Sequence, residues 1–502
     1  MQSLTDPSPQ PPCPAPFNMA AHVLRHAPRL GDKTALCIVG AAPEVWSYAD
    51  LHAAVLGTGT GLLRAGVTPG DRVLMRLGNT VDFPLAYLAA LAIGAVPVPT
   101  AAALTTREVA PMIAALDPRV ILSDPDVPCP DDPRSISRED LRAMRALPAA
   151  DVHMGDADRP GYIIYTSGTS GRPRAVEHAH RAIWARQMMF DGWYGLRADD
   201  RVMHAGAFNW TYTLGTGLMD PWTMGATALI PAPGTKATDL PTLMADSGAT
   251  IFAAAPGVYR QLTRAPVPAL PRLRHGLSAG EKLADVTRAA WQDATGTPIF
   301  EAYGMSECST FISASPARPA APGALGCAQP GRRLALIEGG TPVARGAEGT
   351  IAVHRTDPGL MRGYLDAPDE TAAKFADDWF LTGDRAVMDA QGQITYLGRD
   401  DDMMNAGGFR VSPLEVEQCL TAHPDITGAA AVEVTVKAGA SVIAAYYTAA
   451  APLDEDALHR YAEANLARYK QPRLYIHTDA LPTGANGKLL RRQLRQRFEE
   501  NT

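Results

Sequence analysis

The sequence predicts an α/β protein with a large N-terminal domain of parallel-rich sheets and flanking helices, followed by a small, mobile α+β domain. Between residues 23 and 397, short apolar strands alternate with amphipathic helices, a pattern typical of parallel sheets covered on both faces. The acidic stretch Gly398–Asp402 resists burial and suits a solvated hinge. Beyond it the pattern is helix, strand, strand, helix, strand. We therefore assign residues 17–398 to the large domain and residues 399–502 to the small one.

Individual elements follow from local patterns. The Pro-rich segment Met1–Pro16 predicts a disordered, mobile tail. The apolar run Phe83–Pro99 contains prolines and is too short to span a bilayer, so it predicts a buried helix followed by a strand. Ser412–Glu415 matches a capping box with proline in the first helical turn. Further strands and helices are predicted at Arg72–Met75, at Ala249–Ala253 before Val258–Arg264, and at Arg274–Ser278 before Lys282–Thr295.

The composition excludes several classes of protein. The chain has 502 residues, of which 46% are hydrophobic and 20% charged, as in a soluble protein long enough for two or more domains. A net charge of −7 gives no electrostatic case for binding nucleic acid or an anionic membrane. The six cysteines form no C-x-x-C pair, which argues against a disulfide framework and a structural metal site. We therefore expect a cytoplasmic protein, either a monomer or a homodimer.

The most informative segment is the loop after the predicted strand Tyr162–Thr166. It reads Ser167-Gly168-Thr169-Ser170-Gly171, and Arg172-Pro173-Arg174 and a helical pattern over His178–Phe190 follow. Backbone N–H groups, hydroxyls and a guanidinium in such a loop can all bind an anion. The Walker pattern G-x-x-x-x-G-K-[ST] is absent. The loop therefore predicts a polyphosphate site unlike that of P-loop NTPases, although an ordinary Ser/Thr/Gly turn has the same composition.

Other loops after predicted strands also carry polar residues suited to a nucleotide. Tyr303 offers a flat face for stacking on a base, Glu307 a hard oxygen ligand for Mg²⁺, and Asp384 an acceptor for a ribose diol. Each feature is, on its own, more often structural. The loops are Ser278–Lys282, Glu301–Glu307, Trp379–Asp384, Gly398–Arg399, Asn405–Arg410 and Leu481–Lys488.

In this order and spacing, the loops resemble the acyl-adenylate-forming superfamily, which includes acyl-CoA synthetases, adenylation domains of peptide synthetases and firefly luciferases. The resemblance covers the chain after the Pro-rich tail. It rests on the phosphate loop, Y-G-M-S-E, T-G-D, G-R-x-D-D and a terminal G-K. It implies a protein that uses ATP, Mg²⁺, a carboxylic acid and CoA, with a small domain that rotates between two half-reactions.

The resemblance implies roles for the residues that match the family motifs. The family's loop for the β- and γ-phosphates of ATP corresponds here to Thr166, Ser167, Gly168, Thr169, Ser170 and Gly171, followed by Arg174. The family segments that line the adenine pocket and the α-phosphate correspond here to Gly280, Glu281, Lys282, Glu301, Ala302, Tyr303, Gly304, Met305 and Ser306. The Mg²⁺ ligand matches Glu307, the ribose contacts match Asp384 and Arg399, and a weaker nucleotide contact matches Arg410.

Lys488, Thr166 and Glu307 are the catalytic candidates that the resemblance implies. Lys488 matches the lysine of the adenylation step. The acid's carboxylate and the α-phosphate repel each other, and a compact ammonium between them neutralises charge where it accumulates. For the thioester step, family members swing the small domain about a hinge that matches Asp401. The glycines that then line the pantetheine tunnel match Gly407 and Gly408.

Two loops depart from the family pattern. The usual P-K-G is Pro173-Arg174-Ala175 here, and because arginine keeps the charge and adds a fork for phosphate, we expect activity to survive. Gly484 and Asn486 stand where hydroxyl residues are commoner, but the spacing from Pro482 to Lys488 is kept. The nearby basic residues are interpreted as a solvated helix face in preference to a site for the phosphates of CoA: Arg491, Arg492, Arg495 and Arg497.

The acid pocket is predicted around Met203–Thr211. Trp210 is the first candidate for an aromatic gate and His204 the second, although both also suit the core. Gly304 stands where acetyl-specific relatives carry tryptophan, which favours an acid larger than acetate. The segment contains no aspartate to pair with a substrate ammonium, which disfavours an amino acid. An aromatic (benzoate-like) acid and a short-to-medium aliphatic acid both remain open.

Three functional hypotheses follow. The leading one is an ATP-dependent carboxylic acid:CoA ligase that forms an acyl-adenylate, releases pyrophosphate, then forms a thioester and releases AMP. The second is a stand-alone adenylating enzyme that loads a carrier protein. The third is a nucleotide-binding protein without turnover, which the P-K-G departure suggests and the retention of Lys488, Glu307, Asp384 and Arg399 opposes.

Overall fold

The computed structural model describes residues 1–5, 11–40, 42–166, 174–400, 402–406, 409–437, 440–466, 468–484 and 489–500. Across these ranges the chain forms a large α/β region followed by a small α+β region, as the alternation of strands and helices predicts. No helix in the described ranges is long and apolar enough to cross a membrane.

The first third of the chain builds a small parallel sheet and the helices around it. Its elements are α1 (Met19–Val23), α2 (Ala27–Leu30), β1 (Thr34–Val39), β2 (Glu44–Ser47), α3 (Tyr48–Arg64), β3 (Arg72–Arg76), α4 (Asp82–Ala92), β4 (Val96–Pro99), α5 (Thr106–Leu116), β5 (Val120–Ser123), β6 (Ser135–Ser137) and α6 (Arg138–Met144). The order β4-β3-β5-β6 is parallel throughout. Every residue of α4 is buried, which confirms the helix and strand predicted from Phe83–Pro99.

The middle of the chain contributes the parallel half of the main sheet. Its elements are β7 (Pro160–Thr166), β8 (Arg174–Ala179), α7 (Ala182–Ala185), β9 (Arg201–His204), α8 (Thr211–Leu214), α9 (Asp220–Met224), β10 (Thr227–Pro231), α10 (Leu240–Ser247), β11 (Ile251–Ala254), α11 (Pro256–Leu262), β12 (His275–Ala279), α12 (Asp285–Thr295) and β13 (Ile299–Met305). Strands β1, β10, β9, β11, β12 and β13 lie side by side and parallel. Ligands gather at the carboxyl edge of such sheets, where the predicted loop Ser278–Lys282 emerges. The segments Glu301–Met305 and Trp379–Asp384, also predicted as loops, lie within strands instead.

The next segment turns the same sheet antiparallel. Its elements are β14 (Ser309–Ser313), β15 (Gly326–Ala328), β16 (Leu334–Glu338), β17 (Thr341–Pro342), β18 (Glu348–His354), β19 (Gly363–Tyr364), α13 (Pro368–Ala372), β20 (Phe375–Ala376), β21 (Trp379–Met388) and β22 (Gln393–Arg399). The order continues from β13 through β14, β15, β22, β21, β18 and β16 to β17. This path brings the T-G-D segment on β21 to the same side of the molecule as the loop after β13.

The phosphate loop joins two antiparallel strands, which corrects the prediction of a helix over His178–Phe190. Strand β8 pairs with β7, and Val176 lies opposite Ile164 with both side chains buried. Beyond it only one helical turn, α7, precedes a π-helical turn at Phe190–Tyr194. Pairing with β7 therefore takes only the first two residues of the predicted helix, and helical turns begin at Ala182.

The prediction of a disordered tail is wrong for the first five residues. Gln2 and Leu4 form antiparallel bridges with Ala344 and Ala335 at the edge of the main sheet. Ser3 is fully buried, and its hydroxyl donates to the Ala344 carbonyl at 3.1 Å. An edge strand has unpaired backbone groups, and this proline-free segment satisfies them.

The small region packs helices on a three-stranded sheet. Its elements are β23 (Met404–Ala406), β24 (Phe409–Val411), α14 (Pro413–Thr421), β25 (Gly428–Lys437), β26 (Ala440–Thr448), α15 (Glu455–Asn465), β27 (Leu474–His477) and α16 (Arg491–Glu500). Strand β26 is antiparallel to β25 and parallel to β27. The predicted order from α14 to β27 is confirmed, with the hairpin β23–β24 added before it and α16 after it.

Three polar predictions in the small region need correction. The Ser412 hydroxyl does not cap α14 and instead donates to the Leu397 carbonyl, so the predicted capping box is absent at this described helix start. Asp402 forms ion pairs with Arg491 at 3.4 Å and Arg495 at 3.5 Å, and Arg491 also pairs with Glu417 at 2.7 Å. Ion pairing thus replaces the predicted solvation for Asp402, Arg491 and Arg495, whereas Arg492 and Arg497 are exposed as predicted.

Candidate functional site

A carboxylate held by two phenols forms the first part of the site, which we call the phenolic cluster (Tyr303, Asp384 and Tyr396). The Tyr303 hydroxyl donates to Asp384 Oδ2 at 2.6 Å, and the Tyr396 hydroxyl donates to Oδ1 at 3.0 Å. Burial, and then the charge of Asp384, raise the pKa of both phenols well above the ordinary value. Both phenols therefore keep their protons and donate to a carboxylate that is itself buried.

The strands explain why these three residues meet. Tyr303 lies on β13, Asp384 on β21 and Tyr396 on β22. Strands β21 and β22 are antiparallel neighbours in which Asp384 lies opposite Arg399, so both predicted ribose contacts share one position on the sheet. The Tyr303 ring packs edge-on against Phe311 at 5.3 Å between centroids. Both the ring and the carboxylate are thus fixed by the sheet itself.

A second group, which we call the loop-base cluster (Arg174, Tyr364, Glu370 and Glu307), lies where the phosphate loop begins and ends. Arg174 Nε lies 2.9 Å from Glu370 Oε2, and the guanidinium stands over the Tyr364 ring at 5.2 Å. The Tyr364 hydroxyl donates to Glu307 Oε1 at 2.8 Å. Because burial and the Glu307 charge raise the pKa of Tyr364, the phenol stays protonated. The predicted metal ligand and the basic residue of the loop therefore share one tyrosine.

The hairpin places these groups next to the predicted phosphate residues. Thr166 and Arg174 are directly opposite in the β7–β8 register, so their side chains share a face of the hairpin. Strand β19 pairs with the other side of β8 and contributes Tyr364. A ligand held by the loop would therefore meet Thr166 and Arg174 together.

His178 fastens the hairpin to the Tyr303–Glu307 segment. Burial lowers its pKa to about 4, so the ring is neutral. Nε2 lies 2.7 Å from the Ser306 carbonyl oxygen, which can only accept, so Nε2 carries the proton and donates. The ring also stacks on Tyr162 at 4.8 Å. These contacts hold Ser306, and the adjoining Glu307, against β8.

Two of the predicted acid-binding residues, His204 and Trp210, lie at and after the carboxyl end of β9, beside the loop that follows β12. Gly280 has φ of +96°, and a Cβ there would lie 2.6 Å from Trp210 Cζ2, so the indole rests directly on glycine backbone. Trp210 is half-buried and packs edge-on against Tyr212 at 5.4 Å. His204 packs against the same Tyr212 ring at 4.4 Å. The structure thus brings together Trp210, His204 and the glycine of the Ser278–Lys282 loop.

His204 carries an unused hydrogen-bond donor. The ring is buried, which lowers its pKa to about 3 and keeps it neutral. Gly206 N–H donates to Nδ1 at 3.0 Å, so the proton resides on Nε2. Within the described ranges, Nε2 has no hydrogen-bond partner. A buried donor in this state favours a ligand oxygen as its missing partner.

Some predicted site residues have other partners. The Glu301 carboxylate accepts from Leu283 N–H at 2.9 Å and pairs with Arg288 at 2.9 Å, so it anchors the start of α12. Lys282 Nζ donates to the Gly323 carbonyl at 3.4 Å, on the surface. Because both side chains already have partners within the fold, it is their backbone atoms that are left to contact a ligand. Ala302 is buried within the sheet, and Met305 ends β13.

Gly304 has a structural reason that corrects its interpretation as space for the acid. A Cβ there would collide with the Ser309 carbonyl and would lie 2.5 Å from Thr310 Cα, both on β14. The position lies where the β13–β14 hairpin brings two backbones together. A side chain would therefore strike the neighbouring strand, and the glycine alone gives no measure of pocket size.

Several predicted residues lie outside the described ranges. They are Ser167, Gly168, Thr169, Ser170, Gly171, Asp401, Gly407, Gly408 and Lys488. Arg410 lies on β24, opposite Asn405. Glu281 follows Gly280 directly, in the loop beside Trp210. Their roles remain predictions.

Sequence reasoning missed Tyr364, Glu370, Tyr396 and His178. Tyr364 lies on a two-residue strand, which is too short to give a hydrophobic period. Tyr396 looks like an ordinary strand residue, Glu370 like an ordinary helix acid, and His178 like the first residue of the predicted helix. Their roles come from long-range pairing, and the one usable signal was the β-branched and aromatic run Tyr162–Thr166, which marks the strand that pairs with β8.

The AMP-binding enzyme family matches residues 23–365, and the AMP-binding enzyme C-terminal domain matches residues 415–488. The 3-hydroxybenzoate–CoA ligase of Aromatoleum sp. (strain CIB) is 31% identical over 91% of this chain and 92% of its own. ATP-bound MatB from Rhodopseudomonas palustris superposes with a TM-score of 0.87 at 26% identity, over 97% of this chain and 100% of the other. A benzoate CoA ligase from Burkholderia xenovorans LB400 gives a TM-score of 0.84 at 26% identity, over 95% and 100%.

Proposed function

Because the chain belongs to the AMP-binding enzyme family, we propose that it is an ATP-dependent carboxylic acid:CoA ligase. It converts an acid and ATP into an acyl-adenylate and pyrophosphate, then transfers the acyl group to the thiol of CoA and releases AMP. The observation that carries this function is the pair of clusters that the short Tyr303–Glu307 segment connects. The phenolic cluster suits a nucleoside, and the loop-base cluster suits its phosphates.

The first half-reaction joins two anions. The acid's carboxylate oxygen attacks the α-phosphorus of ATP, the bond to the bridging oxygen breaks, and pyrophosphate leaves. Charge accumulates on the phosphate oxygens, where cations stabilise the transition state. Arg174 supplies one cation at the base of the loop, and we assign Lys488 to the α-phosphate. Asp384 positions the ribose, and Tyr303 gives the adenine a face on which to stack.

Glu307 is the residue that would hold Mg²⁺. One oxygen accepts from Tyr364, and the other has no hydrogen-bond partner in the described part of the chain. The described residues contain no group of three or more His, Cys, Asp or Glu side chains that could enclose a metal ion. This fits Mg²⁺, which binds through one or two carboxylates together with substrate phosphates. Bound there, the ion would neutralise phosphate charge.

The substrate class we propose is an aromatic monocarboxylic acid of the benzoate type. Support comes from relatives whose names contain benzoate or hydroxybenzoate and from the aromatic surroundings of Trp210 and Tyr212. His204 Nε2–H adds a donor for an oxygen of the acid or of a ring substituent. A site with a buried, unpaired donor discriminates against ligands that cannot pair with it.

The second half-reaction requires the small domain to move. We assign the hinge to Asp401 and the pantetheine tunnel to Gly407 and Gly408. Free CoA is the proposed acceptor, since two relatives that match more than nine-tenths of the chain are named as CoA ligases.

A panel of acids tests this function. Wild-type protein with ATP and Mg²⁺ is given benzoate, 3-hydroxybenzoate, hexanoate and acetate, and pyrophosphate release is measured with and without CoA. We expect the aromatic acids to give the highest kcat/KM, with CoA thioester as product. His204→Phe removes the donor but keeps a ring, and should reduce kcat/KM for 3-hydroxybenzoate about tenfold more than for benzoate if the hydroxyl is its partner. No acid-dependent pyrophosphate release with any acid would refute the function.

A further inference from the structure

We propose that Glu370 is the resting counter-ion of Arg174, which the phosphates of ATP displace, so that Glu370 sets the affinity for the triphosphate. This inference rests on the proposed function, because it takes ATP as the ligand of the loop. It assigns a role to a residue on α13 that no motif marks. It also gives a reason for arginine where the family has lysine.

The geometry makes Arg174 a shared group. Its Nε is used by Glu370 Oε2 at 2.9 Å, while its guanidinium carbon stands 5.2 Å from the Tyr364 ring centroid. Arg174 also lies opposite Thr166, the first residue of the phosphate-loop match. The arginine is therefore held beside the loop by an anion that belongs to the protein.

The pair is built to exchange. The Arg174 side chain is 26% exposed and that of Glu370 is 55% exposed, and exposed ion pairs contribute little stability. A triphosphate carries several negative charges and accepts bidentate hydrogen bonds from guanidinium. Phosphate can thus replace the carboxylate at small cost, and Tyr364 remains as the surface over which the guanidinium turns.

Arginine suits this arrangement better than lysine. Its planar fork can give Nε to Glu370 while the terminal nitrogens keep their own direction, whereas an ammonium is a single point of charge. Exchange at one edge of the fork therefore leaves the contact with the Tyr364 face intact. Glu307 accepts a hydrogen bond from the same Tyr364, so the arrangement also keeps the predicted metal ligand beside the exchanging cation.

A neighbouring acid provides a matched control. Asp369 precedes Glu370 on the same turn of α13, and both are exposed. Asp369→Asn and Glu370→Gln each remove one negative charge from the same place, so their long-range effect on an anionic ligand is equal. The ion pair with Arg174 is recorded for Glu370. A difference between the two variants therefore measures that pairing.

The experiment is calorimetric titration of ATP and of AMP into wild-type protein and the two variants, without acid or CoA. Glu370→Gln should lower the dissociation constant of ATP about threefold, the scale of one exposed ion pair, and leave that of AMP unchanged. Asp369→Asn should match wild type for both ligands. The gain should shrink at 1 M salt, where such pairs are screened.

A double-mutant cycle completes the test. In an Arg174→Ala background, Glu370→Gln should have no further effect on ATP affinity, because the cation for which Glu370 and ATP compete is absent. Weaker ATP binding by Glu370→Gln, an equal gain for AMP, or an equal gain in Asp369→Asn would overturn the inference. The acid panel is a separate readout, so protein that binds ATP as described but activates no acid would refute the function and leave the counter-ion role standing.

Discussion

The phenolic cluster and the loop-base cluster hold carboxylates in different ways. Asp384 is buried on the main sheet and accepts from two phenols whose strands are neighbours in that sheet or joined through it. Glu370 is exposed on a short helix and forms an ion pair across to a hairpin. Hydrogen bonds between buried, fixed partners favour one geometry, whereas exposed ion pairs exchange with other ions. Recognition of the nucleoside calls for the first arrangement and capture of phosphates for the second.

The largest expected effect is that of Lys488, a cation that belongs to neither cluster. Lys488→Ala should lower acid-dependent exchange of pyrophosphate into ATP by at least ~100-fold, the scale of losing one stabiliser of transition-state charge. Neither cluster carries a lysine that could replace it. The measurement is isotope exchange with saturating acid.

Another small-domain lysine serves as the control for Lys488. Lys470, which belongs to neither cluster, forms an ion pair with Glu415 at 2.9 Å, and Lys470→Ala should keep exchange near the wild-type rate. Wild-type exchange in Lys488→Ala would remove the lysine from the adenylation step.

The next effect sharpens the contrast at the phenolic cluster. Asp384→Asn removes the charge that accepts from Tyr303 and Tyr396. Because a hydrogen bond to a charged group contributes about 1.5–3 kcal/mol, we expect KM for ATP to rise about 10- to 100-fold. Tyr396→Phe keeps the carboxylate and removes one donor, so its KM should rise only a few-fold. Equal KM values in wild type and Asp384→Asn would mean that the carboxylate does not bind the nucleotide.

The smallest effect concerns the buried histidine that ties the loop-base side to the sheet. His178 has a pKa near 4 in the folded protein, against 6.5 ordinarily. Between these values the unfolded chain binds a proton that the folded chain does not, so the free energy of unfolding decreases as pH falls from 6.5 towards 4. His178→Gln retains a donor for the Ser306 carbonyl and cannot titrate. It should reduce the loss of stability between pH 7.5 and pH 5 by about 2 kcal/mol.

Urea unfolding, monitored by tryptophan fluorescence, measures this loss of stability in the domain that contains His178. All seven tryptophans precede residue 399, so the signal reports on the large domain that contains His178. Other buried histidines, such as His180 and His275, also have lowered pKa values, so part of the pH dependence should remain. If the variant and the wild type lost the same stability between pH 7.5 and pH 5, His178 would not be a source of the pH dependence.

Much of the fold was predictable from local patterns. The strands and helices near Arg72, Phe83 and Ile251 lie within a few residues of their predicted bounds, because hydrophobic periodicity is a property of neighbouring residues. The helix predicted over His178–Phe190 starts only at Ala182, because β8 pairs with β7 as far as Ala179, and the helical turns beyond are short. The tail failed because a sheet edge, distant in sequence, binds residues 1–5.

The candidate site divides in the same way. Tyr303, Asp384, Glu307 and Arg174 follow from the order of the motifs along the chain. Their partners do not: Tyr396, Tyr364 and Glu370 acquire roles only through register and chain crossing. For Gly304 the reverse holds: the sequence suggested a role in the acid pocket, but the close approach of the β14 backbone explains why the residue is glycine.

The sequence by itself determined the order of chemical groups along the chain, the alternation that builds the sheets and the family to which the motifs point. The tertiary structure alone decided which donor each carboxylate takes, and hence which acid is fixed and which can exchange. Periodicity and motifs are short-range and can be read locally. Hydrogen bonds and ion pairs between distant segments depend on strand register and burial, which no single segment encodes.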